Sequence, residues 1–174
     1  MIRRRALADD EIEEEEARTI ASVCNNAALR QAARRLGQLY DDVLAPSGLR
    51  TTQHGLLTQI AIMGSPALGE LAEIMVMDAS ALSHTLRPLA RDGLVSFVAD
   101  DCDRRRRRIV LTAAGKARLK QSTKLWSEAQ ARFERVFGIE KAAALRDVLV
   151  GLASAGFSEA YRMDSGPGEA TKAP

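Results

Sequence analysis

Residues Asp78 to Thr112 read DASALSHTLRPLARDGLVSFVADDCDRRRRRIVLT, and the apolar period of this stretch changes midway. Behind Asp78, a residue type suited to capping a helix N-terminus, Leu82, Leu86 and Leu89 recur at helical spacing. Gly93 then suits the left-handed position that follows a helix. Beyond it the period falls to two: Val95, Phe97 and Ala99 alternate with Ser96 and Val98, and Ile109 and Leu111 alternate with Arg108 and Val110. A helix over 78–92 followed at once by two strands and an arginine-rich loop predicts a β-hairpin wing. Pro88, which lacks a backbone N–H, predicts a kink in that helix.

Upstream, Leu68, Leu71, Ala72 and Met75 form a second short apolar stripe, separated from the first by the tight turn around MVM (75–77). Two short helices joined this way are a helix-turn-helix signature. Ser65 is expected to cap the earlier helix, with Pro66 at its first position. A further helix is expected from about Thr52 to Met63. Another spans Val23 to Leu44, where Leu29, Ala33, Leu36, Tyr40 and Val43 share one face. Downstream, Thr112 is expected to cap a long helix reaching Phe137, and Gly138 separates it from a last helix running to Met163. The stripes Leu119, Trp126, Phe133, Phe137 and Leu145, Leu149, Leu152 need a covering surface, which the 23–44 helix and a second copy of the chain can supply.

The expected fold class is mainly α with a small β-hairpin wing. A winged helix-turn-helix occupies 49–111, and a helical dimerisation region combines 19–48 with 112–163. A disordered acidic leader (1–18) and a disordered tail (164–174) flank them.

Composition narrows the function. Of the 174 residues, 46% are hydrophobic and 4% aromatic, which suits a helical core. The net charge is +2, but residues 1–16 carry three arginines against seven acids, leaving the remainder with 22 basic and 16 acidic residues. The body is therefore basic and its leader acidic. No apolar run reaches the roughly 18 residues needed to span a bilayer, and the N-terminus has no signal-peptide core, so a cytoplasmic protein without membrane contact is expected. The two cysteines are far apart and form no metal-ligand pattern. Gly-rich phosphate loops, HExxH and GxSxG are all absent, and only His54 and His84 could perform acid-base work, so neither an enzyme nor a cofactor is expected.

Three segments together resemble the MarR family, the multiple-antibiotic-resistance type of winged-helix transcription regulator: GLRTTQHGLL (48–57), LGELAEIMVMDASALSHTLRPLARDGLV (68–95) and DCDRRRRRIVLTAAGKARL (101–119). The resemblance covers about Val23 to Phe157. It implies a triangular homodimer joined by its terminal helices, with two winged lobes facing double-stranded DNA. It also implies a regulator, usually a repressor, released by small aromatic or phenolic carboxylates or by oxidants.

On the 78–92 helix, Ser80, Ser83, His84, Arg87 and Arg91 lie opposite the leucines, where a helix in the major groove offers side chains to base edges and phosphates. Arg87 is the candidate for a bidentate contact to guanine. Asp103, Arg104 and Arg105 fall at the hairpin tip, where an arginine can enter the narrow minor groove. The resemblance implies that Asp103 orients Arg105. Arg106 to Arg108 lie on the returning strand, toward phosphates or the neighbouring helix.

Effector candidates are Asn26, Arg30, His54 and Trp126, in a cleft between the dimer helices and the DNA-binding lobe. Cys24 and Cys102 are the redox candidates. The peroxide-sensing branch of the family carries its reactive cysteine in the first helix, but alignment on TTQ places Cys24 about one turn away and finds no matching activating tyrosines. Cys24 shares a stripe with Ala28, Ala32 and Leu39, which suits a buried structural thiol. The rival to an effector-gated or redox-gated repressor is a non-specific architectural DNA-binding protein, which needs neither a two-lobed dimer nor a ligand cleft.

Overall fold

The computed structural model describes residues 14–100, 103 and 106–164. Within them α1 spans Glu14–Val23, α2 Asn25–Leu44, α3 Thr51–Met63, α4 Leu68–Ile74 and α5 Ala79–Arg91. Strands β1 (Val95–Ala99) and β2 (Arg107–Leu111) follow, then α6 (Ala113–Phe137), α7 (Ile139–Leu152) and α8 (Ala155–Met163). The mainly helical architecture with one hairpin is as the period changes indicate.

Local chemistry explains most boundaries. Asp78 accepts a hydrogen bond from the Ala81 N–H at 2.7 Å and caps α5. Thr112 does the same for Gly115 at 3.0 Å and opens α6. Gly93 ends the α5 turn at φ 69°, and Gly138 separates α6 from α7 at φ 98°. Pro88 sits inside α5, which continues to Arg91.

Three boundaries differ from the sequence reading. The expected 23–44 helix begins earlier and is broken: α1 is helical from Glu14, and Cys24 (φ −78°, ψ 100°) interrupts the chain as the N-cap of α2, its Sγ accepting from the Ala27 N–H at 3.4 Å. Ser65 does not cap α4. The chain through Pro66 and Ala67 is instead recruited to the wing, with the Ile109 N–H donating to the Pro66 carbonyl at 2.9 Å and Ala67 bridging Arg108. α4 therefore starts at Leu68, and Glu70 accepts from the Ala67 N–H at 2.8 Å. The last helix is two, because Ser154 accepts from the Phe157 N–H and starts α8.

The wing strands pair antiparallel, from Val95 opposite Leu111 to Ala99 opposite Arg107. The lobe core lies between α3, α4, α5 and the hairpin, where Leu57, Ile60, Leu71, Leu82, Leu86 and Ile109 are wholly buried. Complete burial of a leucine or isoleucine side chain contributes about 1.5–3 kcal/mol. α2 runs against α6, with the Tyr40 hydroxyl donating to Gln130 at 2.8 Å, and the 3-10 turn Ala45–Ser47 that follows α2 ends at Gly48, φ 71°.

The lobe joins α6 at one close contact. The Leu94 carbonyl accepts from the Thr112 N–H at 3.1 Å, and Thr112 Oγ1 donates to the Gly93 carbonyl at 2.6 Å. A Cβ on Gly115 would lie 1.9 Å from the Leu94 oxygen. This gives a physical reason for the glycine three residues after the capping threonine.

A second tie links α3 to α6. His54 is buried, and its Nδ1 lies 2.9 Å from the Ser122 hydroxyl. That hydroxyl is donated to the Leu119 carbonyl at 3.0 Å, so His54 Nδ1 donates its proton to the Ser122 oxygen. The Trp126 ring stacks nearby, with centroids 6.2 Å apart and planes 22° from parallel. Burial lowers the His54 pKa.

Two outcomes follow from these ties. Gly115→Ala should destabilise the protein by about 1–3 kcal/mol through overpacking at the Leu94 carbonyl, lowering the thermal midpoint by several degrees; an unchanged midpoint would show that this contact is not limiting. Because the folded state holds His54 neutral while the unfolded chain protonates it near pH 6.5, stability should be complete above about pH 6.5 and decline as the pH falls below it. Denaturant titrations between pH 7.5 and 5 should show a shallower decline in His54→Asn. Identical slopes for the two proteins would remove His54 as the cause.

Candidate nucleic-acid interface

α5 is built to present one face. Leu82, Leu86 and Leu89 are wholly buried, which fixes the helix rotation and leaves Ser80, His84, Arg87 and Arg91 exposed and Ser83 half-buried. At 100° per residue these five positions fall within about a third of the helix circumference, opposite the leucines. The candidate groove-facing residues therefore lie together. Arg91 also pairs with Asp92 at 3.1 Å, while Arg87 extends from the exposed face.

The hairpin shows why acids precede the arginines. Asp100 is buried, with only 8% of its surface exposed. Its Oδ2 pairs with Arg108 Nε across the hairpin, and its Oδ1 accepts from the Asp103 N–H at 3.0 Å. Arg108 also donates from Nη1 to the Ser65 carbonyl at 3.1 Å and pairs with Glu70 at 3.4 Å. One guanidinium thus joins the end of β1, the segment before α4 and the first turn of α4, using several donors in its planar fork. The loop base is closed by the Asp100 N–H donating to the Arg106 carbonyl at 3.0 Å and the Arg106 N–H donating to that of Asp103 at 2.8 Å. Arg106 Nε lies 3.7 Å from Asp103 Oδ2, and Arg107 is exposed on β2. Arg104, Arg105 and Cys102, all named as site candidates, lie outside the described residues.

Asp100 is the residue that sequence reasoning missed; Arg108, expected toward phosphates or the neighbouring helix, meets that helix at Glu70. An Asp just after β1 and an Arg eight positions on, within β2, are the available signal, hidden within a run of like-charged neighbours. Arg108 turns inward, whereas the exposed Arg107 beside it remains available to a partner.

The four effector candidates separate into two places. His54 and Trp126 meet between α3 and α6, whereas Asn26 and Arg30 sit on the exposed N-terminal part of α2. The stripe proposed to bury Cys24 is open: Cys24 is half-buried, while Ala28, Ala32 and Leu39 are exposed. A cavity of about 420 Å³ lies among α2, the start of α3, α6 and α7, lined by Leu36, Tyr40, Thr51, Phe133, Leu145 and Arg146. At its edge Tyr40, Gln130, Glu134 and Arg146 form a continuous polar chain. Burial raises the Tyr40 pKa, helped by the nearby Glu134 carboxylate, so the phenol keeps its proton. Among the described residues no group of His, Cys, Asp and Glu could hold a metal ion, and no helix is long and apolar enough to cross a membrane.

Comparison with known proteins places this geometry. A family model described as MarR family matches residues 47–106, which include α3, the helix-turn-helix and β1 and stop just before β2. The structure of the M. tuberculosis transcriptional regulator MosR in complex with DNA is 36% identical, covers 80% of this chain and 99% of its own, and superposes with a TM-score of 0.70. The transcriptional repressor CouR, bound to a 23-mer DNA duplex, shares the fold at 23% identity, with coverages of 83% and 99% and a TM-score of 0.71. Bordetella bronchiseptica BpsR, whose DNA binding is regulated by 6-hydroxynicotinic acid, shares it at 19% identity, with coverages of 77% and 96% and a TM-score of 0.69. No curated protein matches the chain. With a relative of this identity aligned along nearly its whole length, and with the helix-turn-helix and braced wing in the same order, the chain belongs to the MarR family.

Proposed function

We propose that the chain is a transcriptional regulator that binds a pseudo-palindromic operator as a homodimer and acts as a repressor. The observation carrying this reading is the face of α5, where Ser80, His84, Arg87 and Arg91 stand clear of a leucine-packed interior beside a wing whose base is fixed by Asp100 and Arg108. The DNA-bound state of MosR supports it. Arg87 would contact a base edge, while Arg106 and Arg107 would meet phosphates; Arg104 and Arg105, flanked by Asp103, would enter the minor groove. Such a protein works in the cytoplasm, where the DNA is, and performs no catalysis.

Uncovered apolar surface supports the dimer. Val23, Val148, Val150 and Tyr161, on α1, α7 and α8, are each more than half exposed. A second copy of the chain would cover these faces. The effector is proposed to be a small aromatic or phenolic carboxylate, a class supported by BpsR's response to 6-hydroxynicotinic acid. His54 and Trp126 are the retained candidates for its contact. A cysteine-based redox repressor is the second reading, favoured by the half-buried Cys24 at the N-terminus of the 20-residue helix α2.

Footprinting on the DNA upstream of the chain's own gene tests the proposal. Two half-sites about one helical turn, roughly 10 bp, apart should be protected by a dimer. A single asymmetric site bound by a monomer would sink it, and indifference to sequence would favour an architectural protein. Arg87→Ala should cost about 1–3 kcal/mol and relax preference at one position, whereas Arg107→Gln should weaken all sequences alike and reduce the salt slope by about one. Release by one aromatic acid would support the effector reading. Release by peroxide that is lost in Cys24→Ser would support the redox reading instead.

A further inference from the structure

The joint between α4 and α5 has an unusual composition. Val76 has φ 51° and its side chain is 71% exposed, so a β-branched residue holds a left-handed conformation that glycine adopts without steric cost. On either side, Met75 and Met77 are half-buried and pack against the leucine core of the lobe, as does Met63 from the end of α3. Three of the chain's five methionines therefore meet one core. The backbone of the joint is closed by three hydrogen bonds: Met75 N–H to the Leu71 carbonyl at 3.0 Å, Val76 N–H to Glu73 at 3.1 Å and Met77 N–H to Ala72 at 2.9 Å. The two thioethers, anchored in apolar surroundings, are the side chains that fasten a strained turn to the lobe.

From this arrangement we infer that Met75 and Met77 form an oxidant-sensitive joint, a modification site for peroxides or hypochlorous acid that sets the position of α5. A thioether sulfur attacks one oxygen of hydrogen peroxide; an S–O bond forms, the O–O bond breaks, and the proton on the transferred oxygen passes to the departing hydroxide, giving sulfoxide and water, while hypochlorous acid gives sulfoxide, chloride and a proton. The sulfur is oxidised and the peroxide reduced, with no further reagent. The new oxygen is a strong acceptor that the leucine core does not satisfy, so the modified side chain turns outward to water. Asp78, the N-cap of α5, follows Met77 directly, so eversion of Met77 displaces the start of the helix proposed to enter the groove. Neither methionine is fully buried, which gives an oxidant access. This mechanism is separate from Cys24, which lies before α2, outside the lobe. It deepens the DNA-binding reading and rests on it for its consequence, though not for its effect on the lobe.

The test treats the full chain with graded hydrogen peroxide or hypochlorite and locates sulfoxides by peptide mass spectrometry. Affinity for the upstream duplex and the thermal midpoint are then measured. Met163, 72% exposed on α8, lies in the proposed dimerisation region, so Met163→Leu is treated alongside the unaltered chain to separate its oxidation from that of the joint, and both should respond alike. Sulfoxide at Met75 and Met77 should lower affinity at least tenfold and lower the thermal midpoint, and methionine sulfoxide reductases of both epimer specificities should restore both. A thiol reductant alone should not. Met75→Leu/Met77→Leu should resist, as should protein with norleucine in place of methionine, which preserves side-chain shape if the leucines pack poorly. Cys24→Ser should remain sensitive. Normal binding and melting with both sulfoxides present would overturn the inference. So would equal sensitivity in the resistant variants, rescue by thiol alone, or oxidation of Met163 with Met75 and Met77 untouched under every dose. If untreated protein binds no DNA, the DNA-binding reading fails, while the shift in melting still tests the joint.

Discussion

The Leu94 carbonyl is the constraint on which the arrangement of the lobe depends. It receives the Thr112 N–H as the chain leaves β2, and it faces Gly115 at a distance that leaves no room for a Cβ. Leu94 follows the turn that ends α5 and precedes β1, so a single backbone group ties the end of the exposed helix, the root of the wing and the first turn of α6. Side-chain repacking cannot easily relax a contact between backbone atoms. The direction in which the 25-residue α6 leaves the lobe is consequently held by backbone hydrogen bonding and close packing.

The arginine run is best understood as a divided set of charges. Arg108 is committed to Asp100, Glu70 and the Ser65 carbonyl, and a buried carboxylate such as Asp100 would be costly without that pairing. Arg106 sits near Asp103, and Arg107 projects from the outer part of β2. A hairpin of five equivalent exposed arginines would repel itself and attract any polyanion. Pairing across the strands gives the wing base a defined shape and leaves Arg107 exposed. The wing and α5 can then approach a duplex as a preformed unit, with little ordering cost at binding.

The terminal helices have a different status. α2 and α6 pack together within the chain, joined by Tyr40 and Gln130, whereas α7 and α8 carry exposed valines and aromatics. Their sequence is amphipathic, but the chain alone does not bury the apolar side. The same incompleteness leaves Leu39 and the stripe around Cys24 open.

Element type and order were legible in the sequence because they depend on local signals: the change of period at Gly93, the caps Asp78 and Thr112, and the break at Gly138. The outward face of α5 was legible for the same reason, since three leucines at helical spacing fix which residues oppose them. Boundaries failed where a distant segment competed with a local cap. Ser65 has the right chemistry to cap α4, yet Pro66 and Ala67 pair with β2, more than forty residues away. Likewise, only the tertiary structure decided which arginine braces the wing, why position 115 has no side chain, how His54 is buried against Ser122, and where three methionines converge. Each of these depends on groups far apart in sequence coming within a few ångströms, where sterics, burial and hydrogen bonding act and chain periodicity carries no record of them.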